Sequence, residues 1–451
     1  MNVQEKSETN WQKENKKHHP SIKGNPQIIK AWTIYDWANS AFQLSITSAI
    51  LPAYFASVSK GNGDGIIDFF GYKLINTSLY AWTVSFSFLI VACLSPILSS
   101  IADYTGRRKF FMQCYTFLGS IGCCLLFFMD AKHLEIGMIA FAIASIGYSG
   151  SLVFYNAWLP EIAPEGMEDQ ISAKGFSLGY AGSMILLLIN ILMLSQPHYF
   201  GISEKQIAAK ISFVSVGLWW LIFSSYTFKY LPKYLSPKKN ISHPLYNGYR
   251  ELKKVWDEFR KQKKLRTYLS AFFFIIMGVM TIMYMAANFA KKEIGLDDKI
   301  LIPTIFVIQL IGIIGSLTFA NISKKMGNIP AMMIAVCIWI FICAAAWFVV
   351  DAKGFILLAV AVGLVMGAVQ SLARSTYTKM LPPTNDHTSY FSFYDVVEKI
   401  AIVSGTFLFG FMETISGSMR NSIVMLGMIF LIGFYFLTVI LLKQRINLKN
   451  Q

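Results

Sequence analysis

Three ionisable side chains within five residues, Asp395, Glu398 and Lys399, break a segment that is otherwise apolar over about 391–412. A charge in such surroundings is costly and usually faces a polar cavity or a partner. Asp395 and Lys399 are i,i+4, share a helix face and can pair. Glu398 is then the surplus charge and a candidate proton carrier, because desolvation favours an uncharged carboxyl. The competing reading is a structural ion network across helices. Tyr394 precedes the cluster, and three other polar groups stand in apolar runs: Tyr35 with Asp36 and Asn39, Tyr155 with Asn156, and Gln370 with Arg374 at i,i+4. Counted along its apolar run, Asp36 lies roughly 8 Å deep and Lys399 roughly 12 Å at about 1.5 Å per helical residue. The two are therefore expected to meet. An anionic Asp36 and a cationic Lys399 or Arg374 would read the two ends of a zwitterionic solute, although Arg374 also suits a simple anchor at a helix end.

The elements that must hold these groups are long apolar helices. The 451 residues are 55% apolar and only 14% charged, against roughly 25% charged in an average soluble domain. Stretches free of Asp, Glu, Lys and Arg cover 37–59, 74–102, 110–129, 136–160, 175–203, 211–228, 267–290, 300–323, 326–350, 354–373 and 421–442. A span needs about 20 mostly apolar residues, and backbone groups in lipid must bond internally, so each is a helix. The charged segment at 391–412 makes a twelfth. With the N-terminus inside, connections on the cytoplasmic side hold 29 Lys and Arg against 10 outside. That bias places both termini in the cytoplasm, and the plasma (inner) membrane is the expected location. It also accounts for most of the +15 net charge without nucleic acid, since the cations are dispersed through loops.

Residues 1–29 are polar, lack an apolar targeting core and read as a disordered cytoplasmic tail; the His18-His19 pair in it reads as solvated. Six spans (30–229) and six more (266–443) flank a linker at 230–265, and 444–451 form a second tail. In the linker, Leu245, Tyr249, Leu252, Trp256 and Phe259 recur at helical spacing with cations on other faces, the pattern of an amphipathic helix lying on the inner membrane surface. Membrane lipid is its expected partner. The cysteines Cys93, Cys114, Cys123, Cys124, Cys337 and Cys343 lie in apolar runs without metal-ligand spacing and read as buried thiols. No cofactor is expected. Nor is an enzyme, since no HExxH, GxSxG, paired CxxC or phosphate-cradling loop occurs. A monomer is expected. A non-transporting sensor or scaffold, and an exporter of amphipathic compounds, are the alternative functions.

The two halves repeat. Asp103, after the second span, aligns with Asn321 after the eighth at an offset of 218, and Leu159-Pro160 aligns with Leu381-Pro382 at 222. Paired halves with a site at their interface are a recurrent transporter plan. In Asp103-Tyr104-Thr105-Gly106-Arg107-Arg108, Gly106 permits a tight turn and Asp103 can accept from a helix N-terminus or pair with an arginine. Such a contact between halves would hold one face shut. The charged-turn reading applies mainly to Arg108 and Lys109. Gly175, Gly179 and Gly182 permit close helix approach, and Trp219-Trp220 reads as packing.

The Asp103, Gly106, Arg107, Arg108 loop resembles the signature loop of the major facilitator superfamily, with Ser99 where a Gly and Tyr104 where an Arg is usual. Tyr35-Asp36-Trp37-Ala38-Asn39-Ser40, Phe154-Tyr155-Asn156-Ala157-Trp158-Leu159-Pro160-Glu161, Gln370-Ser371-Leu372-Ala373-Arg374-Ser375 and Phe391-Ser392-Phe393-Tyr394 followed by Lys399 resemble its vacuole-effluxer-like branch. The resemblance runs over about 30–443. It implies an all-α membrane fold of twelve helices in two six-helix repeats, a cavity lined by spans 1, 4, 7 and 10, and secondary transport of a small, amino-acid-like solute, with protons as a candidate coupling ion. Fungal vacuolar members export amino acids. Many relatives carry an Asp before Gly278-Val279; here Met277 stands there, so no coupling role is carried over to that position.

Overall fold

The computed structural model describes residues 22–59, 66–233 and 244–449. Twelve long helices are present: α1 Pro26–Val58, α2 Asn76–Thr105, α3 Arg108–Leu125, α4 Leu134–Asn156, α5 Glu168–Ser195, α6 Lys205–Tyr230, α7 Lys263–Phe289, α8 Asp298–Met326, α9 Asn328–Ala346, α10 Ala352–Met380, α11 His387–Ser416 and α12 Met419–Lys449. Eleven are long and apolar enough to cross a membrane, and α11 is the charged twelfth. An even number of crossings puts the start of α1 and the end of α12 on one face, called here the terminal face.

Within the first bundle α1 packs on α5 and α6, and α3 on α4 and α6; in the second, α7 packs on α11 and α12, and α8 on α10. Without a hydrophobic drive between helices in lipid, such contacts depend on small residues that let backbones close in. Along α5, an added Cβ would lie 2.5 Å from Ser40 Oγ at Gly179 and 2.6 Å from the Trp37 carbonyl at Gly182. The glycine spacing is thus the α1–α5 contact itself. Trp37 and Trp219 stack with centroids 5.6 Å apart and Trp220 is fully buried, so the tryptophan pair is packing. Between bundles, α2 meets α11, α4 meets α11, and α5 meets both α8 and α10.

Two helices are wound unevenly. Phe42–Ile50 of α1 takes π geometry, with the Leu51 amide donating to the Ile46 carbonyl five residues back. Ala290–Ile294, which continues α7, does the same. Wide turns of this kind cluster at functional sites. Between α1 and α2, strands β1 (Ile66–Phe69) and β2 (Tyr72–Ile75) form an antiparallel hairpin. Its two-residue turn carries positive φ at both Phe70 and Gly71, as the right-handed strand twist demands.

Several expectations change. Residues 22–25 belong to the folded body: the Gly24 amide donates to the Ile162 carbonyl and the Asn25 side chain caps α1. The rest of the N-terminal tail, with His18 and His19, lies outside the described residues. α12 runs on through most of the segment read as a C-terminal tail. The linker helix is real (Pro244–Lys261), but the end of its apolar stripe meets protein. Val255 and Phe259 are buried, and Trp256 and Phe259 lie 5.4 and 5.3 Å from the Phe393 ring at the start of α11. An aromatic partner was available on the bundle, while Tyr249 stays exposed; the Leu245 side chain lies outside the described residues. Cys93, Cys114 and Cys337 are exposed on the apolar flanks of the bundles rather than buried.

Candidate functional site

Asp36 sits ten residues into α1, deep in the first bundle, and Arg374 approaches it from α10 of the second. The guanidinium donates from Nη1 and Nη2 to Asp36 Oδ2 (3.3 Å each), from Nη1 to Asn156 Oδ1 (3.3 Å), from Nε to Ser172 Oγ (3.0 Å) and from Nη2 to the Ser172 carbonyl (2.9 Å). The Tyr155 hydroxyl donates to the same Asp36 oxygen at 2.7 Å. Three rings enclose the cation: Phe176 at 4.3 Å, Trp32 at 4.7 Å and Tyr155 at 5.3 Å. Trp32 is held in place by stacking on Tyr155 and by donating to the Tyr155 carbonyl at 2.9 Å. Both charged side chains are nearly sealed from solvent (3% and 6% exposed), so neither is screened by water. Gly175 makes the room, since an added Cβ would stand 2.5 Å from Asp36 Oδ2. A Gly175→Ala variant is expected to lose several degrees of melting temperature in a thermal-shift assay, and one that melts like wild type would contradict this packing.

Nearer the terminal face, two polar clusters join the bundles. In the first, Asp103 at the end of α2 accepts from the Ser389 amide (2.7 Å) and hydroxyl (2.8 Å) and from the Thr388 amide (3.3 Å). It thereby caps α11 across the bundle interface, where a carboxylate is favoured by the exposed amides of a helix start. Arg108 pairs with Asp103 at 3.3 Å, donates to Thr388 Oγ1 at 2.6 Å and lies 3.7 Å from Glu161, which also meets His387 at 2.7 Å. In the second cluster, Asp169 in the first turn of α5 accepts from Ser323 Oγ (2.8 Å), Asn328 Nδ2 (2.6 Å) and Lys379 Nζ (2.6 Å).

These clusters are related by the repeat. Residues 103 and 323 are 220 apart, as are 169 and 389, and 108 and 328. At the first junction the acid ends α2 and the serine opens α11; at the second the serine ends α8 and the acid opens α5. The true register is therefore 220, not the 218 that aligned Asp103 with Asn321, and Asn321 is exposed. Outside the spans, Asp386 beside the first junction is pushed up to about 6, by burial and then by the like charges of Asp103 and Glu251.

Beyond the Asp36–Arg374 pair, away from the terminal face, lies a small cavity lined by Phe42, Gln43, Phe88, Tyr148, Ser149 and Tyr284 among others. Gln43 donates to the Tyr284 hydroxyl at 3.2 Å, linking α1 to α7. The Lys399 ammonium stands 5.5 Å from the Phe88 ring and pairs with Asp395 at 3.2 Å. Asp395 Oδ2 is buried with no hydrogen-bond partner among the described residues. A larger cavity inside the second bundle has only apolar lining side chains, such as Phe289, Phe355 and Phe409, and offers nothing to read a polar solute.

Of the residues singled out in the sequence, Asp36, Tyr155, Asn156 and Arg374 come together, while Asp395 and Lys399 pair on their own helix. Lys399 is not the partner of Asp36, and Arg374 is not a surface anchor: α10 continues to Met380, which carries Arg374 inside the bundle interface. Gln370 accepts from the Tyr180 hydroxyl across the bundles at 2.6 Å. Tyr35 turns away, bonded to Thr116 of α3 at 2.6 Å, and Tyr394 stacks on Phe272 at 4.2 Å. Asn39 is buried with its Nδ2 unpartnered, and Glu398 is half-buried, in no ion pair among the described residues. Gly106 ends α2 at φ +67°, as its turn requires, whereas the Arg107 side chain is exposed and joins neither cluster. Trp32, Ser172, Phe176, Asp169, Ser323, Asn328, Lys379, Thr388 and Ser389 were not foreseen. For Asp169 and Ser389, the repeat at an offset of 220 was the available signal.

This architecture is that of a major facilitator transporter. The human organic anion transporter MFSD10 (TETRAN) aligns with a TM-score of 0.70 at 12% identity, covering 93% of this chain and 100% of that one. The transporter FucP in the outward conformation aligns at 0.66 and 15% identity, covering 93% and 99%. Residues 24–448 match the family described as vacuole effluxer Atg22-like, and the chain belongs to that family. It is similar to the uncharacterized MFS-type transporter YxiO of Bacillus subtilis (29% identity over 90% of this chain and 93% of the relative). It is also similar to Autophagy-related protein 22 of Kluyveromyces lactis (23% identity over 88% and 90%).

Proposed function

We propose that this transporter is a monomeric secondary carrier of a small polar or zwitterionic, amino-acid-like solute, working by alternating access and coupled to protons in the direction of efflux. The observation that carries this reading is the buried Asp36–Arg374 pair, which ties the two bundles together just below a polar-lined cleft of the first bundle that Tyr284 of the second borders. Breaking that pair and the two junctions at the terminal face would open the cavity on that side. The Lys and Arg bias supports a cytoplasmic terminal face, the likeness to a Bacillus subtilis transporter supports a plasma membrane, and the name of the family, vacuole effluxer, supports export. For the proton, Glu398 and the unpartnered oxygen of Asp395 are the candidate acceptors, on the same helix as Lys399, whose ammonium lies beside the Phe88 ring.

Flux in proteoliposomes tests the reading. Wild type is expected to accumulate a radiolabelled amino acid when a pH gradient is imposed. Glu398→Gln is expected to lose that accumulation while still exchanging solute down its own gradient. Accumulation by Glu398→Gln at the wild-type level would remove Glu398 from the coupling step.

A further inference from the structure

Among the described residues, every acceptor and every ring placed on the Arg374 guanidinium belongs to the opposite bundle: Asp36 and Trp32 on α1, Tyr155 and Asn156 on α4, Ser172 and Phe176 on α5. The first bundle therefore contains a complete pocket for a cation, and the second bundle fills it. If the bundles separate at the terminal face, Arg374 withdraws and leaves a carboxylate, two oxygens of Ser172, an amide oxygen and three π faces. Toward the guanidinium these groups present only negative charge, lone pairs and π faces. Such a buried set is strongly disfavoured empty, and aromatic faces around an anionic centre select an organic cation.

We propose that this pocket binds the cationic end, guanidinium or alkylammonium, of the transported solute, and that Arg374 is its tethered stand-in while the terminal face is shut. The inference rests on the transport reading above and adds the chemical class of the solute. Solute and gate compete for one site. A bound solute holds the terminal face open, and its departure lets Arg374 return and close it. Gly175 serves both occupants by leaving space beside the carboxylate.

The test uses the full chain in lipid nanodiscs with methylguanidinium and the neutral isostere N-methylurea as probes. In Arg374→Ala, millimolar methylguanidinium is expected to raise the melting temperature by about 2 °C or more. N-methylurea should not, and Asp36→Asn added to Arg374→Ala should abolish the rise. No rise, an equal rise with N-methylurea, or a rise that survives Asp36→Asn would overturn the proposal. Should Arg374→Ala fail to fold, wild-type flux decides. Methylguanidinium must then inhibit uptake of a transported solute at least tenfold more effectively than N-methylurea. Flux indifferent to methylguanidinium would remove the cation pocket and leave the transport reading standing. Methylguanidinium rescue without flux of any solute would do the reverse.

Discussion

Arg374→Leu is expected to destabilise the closed terminal face by about 3–5 kcal/mol, the usual consequence of deleting one member of a buried ion pair. The loss is large because Asp36 would remain buried with the Tyr155 hydroxyl as its remaining donor. Asp36→Asn should cost a comparable amount, since the guanidinium would then sit among three rings without an anion. The double variant Asp36→Asn with Arg374→Leu should lose much less than the sum, because no uncompensated charge is left. Thermal unfolding of the three variants, with maleimide labelling of a cysteine placed at the terminal face, gives the coupling energy. Additive losses would show that the two side chains do not act as a pair.

The second large effect concerns the exchanged acid and serine. Asp103→Ser alone removes the cap on α11 and one of the partners of Arg108, and should speed labelling at the terminal face at least tenfold, equivalent to about 1.4 kcal/mol. Adding Ser389→Asp should recover most of that loss. It rebuilds at the first junction the arrangement present at the second, where Asp169 occupies the first turn of α5 and Ser323 donates to it. A carboxylate in the first helical turn is itself favoured by the exposed amides. The reciprocal pair, Asp169→Ser with Ser323→Asp, should behave likewise but recover less, since Lys379 and Asn328 also converge on Asp169. If either double variant is worse than its first single change, the two junctions are not equivalent.

What the sequence made legible were features written locally. The number of spans follows from run lengths in a chain that is otherwise poor in charge. The Asp395–Lys399 pair follows from helical spacing, and the left-handed turn at Gly106 from the loop composition. The pairing of Asp36 was hidden because its partner lies 338 residues away. Depth counted along charge-free runs placed Lys399 opposite it, yet the helices extend well past those runs and set a different level. The linker helix was evident from its stripe, but a stripe does not say whether lipid or Phe393 will cover it. Matching Asp103 with its nearest chemical relative, Asn321, sets the repeat two residues out of register, because the folded halves trade Asp for Ser.

The π segment of α1 has a mechanical consequence. Phe42–Ile50 lies between the level of Asp36 and the hairpin that leads to α2, and it carries Gln43, whose amide reaches Tyr284. A helix with a surplus residue in its winding can pass that surplus along. A slip of one position would swivel the tip by about 100° and advance it about 1.5 Å, leaving the Asp36 end still. A second such segment, Ala290–Ile294, ends α7, the helix that carries Tyr284. The two wide turns thus sit in the non-terminal halves of α1 and α7, the helices that Gln43 and Tyr284 join.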